Sequence, residues 1–141
     1  MTEWKAPDLQ PDIAPRIASI LRLVLGQRWA ASRETLTRAL APLTDREWAA
    51  VVHAARIGNV SPLMYWVLRD IEIVPASILE SLRTAYYYTA RRNIVLFHEL
   101  GAVLRRFADA GIGVLILKGA ALASTIYHNP ALRPMDDVDL M

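Results

Sequence analysis

From residue 12 the apolar positions recur at helical spacing in short blocks, and each block ends at a capping or breaking residue. Ile13, Ile17, Ile20, Leu21 and Val24 share one face of a first helix, with Asp12 as its cap, Pro15 in its first turn and Gly26 at its end. Ser32 caps a second helix that runs through Leu40 and is broken at Pro42. Thr44 and Glu47 have the spacing of a capping box ahead of Trp48, Val51, Val52 and Ala55, and Gly58-Asn59 reads as a left-handed stop. Ser61-Pro62 starts another helix, with Pro62 at the first helical position. Residues 1–74 therefore read as a helical region.

Pro75 opens the longest pattern. Ile78, Leu82, Tyr86, Thr89, Leu96, Leu100, Val103, Leu104 and Phe107 keep helical spacing until Gly111, which predicts a long helix over 75–110. Unbroken, it would span about 50 Å. The apolar face is interrupted between Arg91 and Asn93 and again at Gly101, so a kink or split is expected at one of them.

After Gly111 the period changes. Val114 to Leu117 is a continuous apolar run of the kind found in a fully buried strand, ended by Lys118-Gly119. Gly119 to His128 reads as a short helix, Asn129-Pro130 breaks it, Ala131 to Met135 forms a loop stiffened by Pro134, and Asp137 to Met141 reads as a second strand. The expected class is α+β: a mainly α-helical N-terminal region, then over 111–141 the first strand, helix and strand of an α/β core.

Composition narrows the function classes. The chain has 141 residues, 54% of them hydrophobic, enough for a real core. No apolar stretch approaches the roughly 20 residues of a membrane span, and no secretory leader opens the chain, so no membrane role and a cytoplasmic location are expected. There is no cysteine, which removes disulfides and thiolate metal sites and fits a reducing compartment. The net charge of +2 is small and the basic residues are scattered, so a nucleic-acid surface is not indicated. Of the 16 basic residues only two are lysines, and one of them, Lys118, stands at the end of the apolar run.

The chemistry gathers there. In an extended segment, residues two apart share a face, so Asp137 and Asp139 would project together while Val138 and Leu140 face inward. Their Cα atoms would lie about 6.5–7 Å apart. That lets both carboxylates converge on a divalent cation, and hard oxygen donors suit Mg²⁺ carrying substrate phosphates. Paired like charges also call for a counter-cation, either a metal or Arg133. Gly119 lets a phosphate approach the free N–H groups of the following turn, and Lys118 adds positive charge. Lys118 and Arg133 read equally as surface ion-pair partners, and Asp136 is a second-rank candidate.

Other features have simpler readings. No P-loop is present, because Lys118 lacks both the preceding glycine and the following Ser or Thr. His98-Glu99 lacks the second histidine of a zinc motif, and His53 and His128 have no partner. Tyr86 to Tyr88 point around a helix in three directions, so at least one is a core residue.

The segment GIGVLILKGAALASTIYHNPALRPMDDVDL, residues 111–140, resembles the core of the uncharacterised nucleotidyltransferase family within the polymerase-beta-like superfamily. The matching positions are Leu117, Lys118, Gly119, Leu122, Tyr127, Pro130, Leu132, Arg133, Pro134, Asp137, Asp139 and Leu140, and the preceding helices are similar less specifically. The resemblance implies Mg²⁺-dependent transfer of a nucleoside monophosphate from a nucleoside triphosphate to an unknown acceptor hydroxyl, with pyrophosphate leaving. Asp137 and Asp139 would be the catalytic metal ligands, and Lys118, Gly119 and Arg133 would bind substrate. Two-metal chemistry also requires a further carboxylate, expected beyond Met141. The superfamily commonly has Gly-Ser or Gly-Gly where this chain has Gly119-Ala120. An alternative is therefore an inactive nucleotide-binding or scaffold module with a degenerate site, and a third is a helical interaction domain with a strand appendage. Two strands leave unpaired edges, so self-association or pairing with a missing C-terminal portion is expected.

Overall fold

The computed structural model describes residues 12–26 and 32–141; the parts of the expected helical region at 1–11 and 27–31 lie outside the described residues. In chain order the helices are α1 (Ala14–Gly26), α2 (Arg33–Leu40), α3 (Asp45–Ile57), α4 (Ser61–Leu68), α5 (Ala76–Asp109) and α6 (Lys118–Leu122). A π-helical turn, Ala123–Tyr127, continues α6, and a 3₁₀ turn follows at Pro130–Leu132.

The caps explain most boundaries. The Ser32 side chain accepts from Thr35 N at the start of α2. At α3, Thr44 Oγ1 accepts from Glu47 N at 3.3 Å while Glu47 Oε2 accepts from Thr44 N at 2.9 Å, a complete capping box. Glu47 is buried and also meets Arg16 of α1 at 2.6 Å. Its carboxyl is held below the usual range by the bond from the Thr44 backbone, then by the Thr44 hydroxyl, with Arg16 adding to both. Two boundaries move by a residue. Ile13, whose carbonyl accepts from Ile17 N, precedes α1, and Val60 precedes α4, so Pro62 sits at the second helical position. The left-handed residue after α3 is Asn59, at φ +54°, not Gly58.

Two apolar clusters divide the fold. The larger buries Ile17, Val24, Leu40, Val51, Met64, Leu68 and Leu82, drawn from α1 to α4 and the first part of α5. The smaller centres on Leu100, Ala120, Ala123 and Met135, with Leu96, Phe97, Ile116, Val138 and Leu140 packed against it. Helix α5 is the spine shared by both. It runs as one continuous helix through Arg91–Asn93 and Gly101, so the expected split does not occur. The polar interruption has another purpose: Asn93 is 0% exposed, and its Nδ2 donates to the carbonyls of Pro130 (2.5 Å) and Arg133 (2.7 Å). Tyr86 stacks with Trp66 and meets Tyr65, whereas Tyr87 and Tyr88 are exposed.

The expected α+β class is not what the chain adopts. Among the described residues there is no strand and no sheet, only an isolated antiparallel bridge between Ile116 and Leu140. Three backbone bonds hold it: Leu115 N to Met141 O (2.7 Å), Met141 N to Leu115 O (2.9 Å) and Leu117 N to Asp139 O (3.0 Å). A short apolar run bounded by glycines does not distinguish a strand from other buried segments. A fully buried strand needs cover on both faces, yet Leu115 is 58% exposed. The expected helix from Gly119 to His128 is also divided. Ser124 and Thr125 hydroxyls donate to the Ala120 and Ala121 carbonyls where the helix widens, the back-bonding that bends helices.

Candidate functional site

The bridge places Lys118 beside the aspartate segment. Leu117 N donates to the Asp139 carbonyl, and the next residue reaches the same partner through its side chain, Lys118 Nζ lying 3.0 Å from Asp139 Oδ2. Lys118 has φ +49°, the left-handed region that side-chain-bearing residues seldom occupy. Strained backbone of this kind persists where the surroundings over-determine it. Here the bridge on one side and α6 on the other do so. The hydrogen bond and the charge of Asp139, with a smaller contribution from Asp137, push the Lys118 ammonium above the usual lysine range. Lys118 therefore stays protonated at neutral pH, and any cation approaching Asp139 meets a competitor already in position.

Alternation along the aspartate segment is the one expected. Val138 and Leu140 pack against the smaller cluster, Asp137 is exposed and Asp139 is half-buried. Asp137 makes no ion pair with a described residue, while Asp136 turns to α5 and pairs with Arg92 at 2.9 Å. The three acidic residues are thus divided: Asp136 to Arg92, Asp139 to Lys118, and Asp137 left open beside the latter.

Gly119 and Arg133 have neighbours that the sequence did not indicate. A Cβ at Gly119 would lie 3.2 Å from Met135 Cγ and 3.3 Å from Met135 Sδ, so the missing side chain admits a methionine. Ala120, where the resemblance suggests a serine or glycine, is 1% exposed in the smaller cluster, and a hydroxyl there would be buried. No ion pair joins Arg133 to Asp137 or Asp139 among the described residues; its Nε is buried without a hydrogen-bond partner, and its carbonyl accepts from Asn93. The cation paired with Asp139 is Lys118, and Asp137 has no paired cation among the described residues. Arg92 and Met135 were not read as site residues, and Asn93, which ties the loop carrying the aspartates to α5, was read only as part of an interruption in the apolar face of the long helix. The available signal was a polar residue on the apolar face of the long helix.

Among the described residues no group of three or more His, Cys, Asp or Glu side chains could hold a metal ion. The donors here are two carboxylates. Mg²⁺ commonly takes one or two carboxylates and completes its shell with substrate phosphates and water, so this donor set fits that ion when a phosphate ligand comes with it.

A family model described as uncharacterised nucleotidyltransferase matches residues 44–141, from the capping threonine of α3 to the end of the aspartate segment. The chain belongs to the uncharacterised nucleotidyltransferase family. The match covers more than half of the chain and includes the helices ahead of the site as well as the site itself. Comparison with curated proteins and with solved structures gave no match. The nucleotidyltransferase-like character thus attaches to the unit formed by α3 to α5 and the segment that folds against α5. No helix among the described residues is long and apolar enough to cross a membrane.

Proposed function

We propose that Asp137 and Asp139 bind Mg²⁺ together with a nucleoside triphosphate, and that the protein transfers a nucleoside monophosphate to an acceptor hydroxyl. The observation that carries this reading is the meeting of Lys118 with Asp139 at 3.0 Å, with Asp137 open beside them. One ammonium and two carboxylates are the complement of a cation and a polyphosphate. In the transfer the acceptor oxygen bonds to the α-phosphorus, the bond from that phosphorus to the bridging oxygen breaks, and pyrophosphate leaves with the electron pair while the hydroxyl proton passes to solvent. Bound Mg²⁺ would supply charge neutralisation for the attacking and leaving oxygens. Lys118, released from Asp139, would follow the phosphates; Asp137 and Asp139 would fix the triphosphate in line with the acceptor.

The test is calorimetric titration of the 141-residue chain with each of the four common nucleoside triphosphates, in Mg²⁺ and in EDTA. The reading expects Mg²⁺-dependent binding that weakens by about tenfold or more in Asp137→Asn and in Asp139→Asn, with folding unchanged by circular dichroism. Equal binding by wild type and both variants would sink it. The competing reading, an inactive nucleotide-binding or scaffold module, is favoured by the buried Ala120, where a phosphate-contacting hydroxyl is absent. It expects the same binding with no pyrophosphate release for any acceptor supplied. Self-association in a cytoplasmic, reducing setting belongs to either reading. Self-association is supported by the exposed Leu115, Ile112 and Leu122 around the bridge, and light scattering showing monomer at all concentrations would remove it.

A further inference from the structure

A cleft of about 520 Å³ lies between the start of α4, the middle of α5 and the loop before Asp137. Its volume falls in the range of small-molecule sites, about 300–1,000 Å³. Arg56 comes from the last turn of α3 and Asn59 from the turn after it, Thr84, Tyr88 and Arg92 from α5, and Asp136 from the loop. Two guanidinium groups face one carboxylate. Arg92 is committed to Asp136, but Arg56 is exposed and makes no ion pair with a described residue, so the lining carries an excess positive charge. The Tyr88 hydroxyl and the Asn59 amide add donors around it, while the Thr84 hydroxyl, which donates to the Glu80 carbonyl at 3.0 Å, adds an acceptor.

The cleft adjoins the proposed transfer site. Met135 lines it and also packs against Gly119, and Asp136, which lines it too, immediately precedes Asp137. The two Asn93 bonds anchor the neighbouring loop from Pro130 to Arg133 on α5. We infer that the cleft is the acceptor pocket, taking a small hydroxyl-bearing molecule whose phosphate or carboxylate is held by Arg56 and Arg92. As an assignment of acceptor this rests on the transfer reading above; as an anion site it does not. A macromolecular acceptor would need a broad contact surface, whereas this opening is concave and small.

The test uses inorganic phosphate and acetate as separate probes of the full chain in EDTA, followed by amide chemical shifts. Phosphate or acetate should perturb amides at 56–61 and 84–92, which tells the two anion types apart by their affinities. Arg56→Gln should weaken that binding at least fivefold, with Arg92→Gln as a second variant, and Asp137→Asn should leave it unchanged. Glycerol 3-phosphate should bind in the presence of Mg·ATP without competing with it. Perturbation centred on 118–119, or binding lost in Asp137→Asn but kept in Arg56→Gln, would overturn the proposal, as would no saturable binding of either anion. Competition between glycerol 3-phosphate and Mg·ATP would overturn the acceptor assignment. If Mg·ATP fails to bind while phosphate still binds at Arg56, the transfer reading is what has failed: the anion site stands and the acceptor role falls with that reading.

Discussion

Replacing Asn93 by leucine removes the contact that fastens the aspartate-bearing loop to the long helix. Asn93 is 0% exposed, and its amide nitrogen is shared by the Pro130 and Arg133 carbonyls at 2.5 and 2.7 Å. Leucine has nearly the same shape, so the main consequence is two carbonyls left unpaired at a partly dry interface. That costs about 1–2 kcal/mol for each, or about 2–4 kcal/mol together. The Asn93 Oδ1 atom is itself buried without a partner, and removing it returns about 1 kcal/mol. The net loss is therefore about 1–3 kcal/mol, and with a urea slope of about 1–3 kcal/mol/M the unfolding midpoint should fall by roughly 1 M. The loosening should be local as well as global. The Leu132 amide, held by the Asn129 carbonyl at 3.1 Å, should exchange with solvent about tenfold faster or more, while amides of α3 gain less. A stability loss below about 0.5 kcal/mol together with unchanged Leu132 exchange would refute the reasoning, because the loop would then be held by something other than Asn93.

Thr44→Ala removes the hydroxyl half of the capping box and should lower stability by about 1 kcal/mol in urea unfolding, with α3 fraying first in hydrogen exchange. Glu47 has its pKa lowered in the folded state, so the stability it contributes is present above its unfolded pKa and is lost as pH falls through the folded value. Glu47→Gln should therefore flatten the acid limb of the stability-versus-pH curve measured by urea midpoints, and leave the alkaline limb alone. Lys118 shows the opposite sign: its raised pKa contributes stability that is present below the ordinary lysine value and disappears as pH rises through the folded one, so Lys118→Met should flatten only the strongly alkaline limb. Gly119→Ala forces the buried Met135 side chain aside and should lower the urea-derived stability by about 1–3 kcal/mol, and in a double-mutant cycle the same change should cost less in a Met135→Ala background.

The helical part of the fold was legible because its signals are local. Ser32, Thr44 with Glu47, and the 3.6-residue spacing of Leu82 to Leu104 act within one or two turns, and the caps form where the residues stand. The C-terminal segment was misread because its signals are not local. Val114 to Leu117 has the composition of a buried strand, but whether a strand forms depends on partners, and the only one among the described residues is the short stretch from Asp139 to Met141. The inward placement of Val138 and Leu140 was readable from alternation alone, since it needs only an extended backbone. The Lys118–Asp139 contact was not, because it depends on the antiparallel return of the chain and on a left-handed lysine that no propensity favours. Asn93 looked like a helix breaker for the same reason: its function lies forty residues away at Arg133.

Whether residues 118–119 and 137–139 form one cation–triphosphate site is tested most directly by substituting Mn²⁺ for Mg²⁺ and following paramagnetic broadening of the backbone amides with ATP present. Both segments should broaden together, and both effects should vanish in Asp139→Asn. Broadening confined to other parts of the chain, or to one segment with the other untouched, would contradict a shared site.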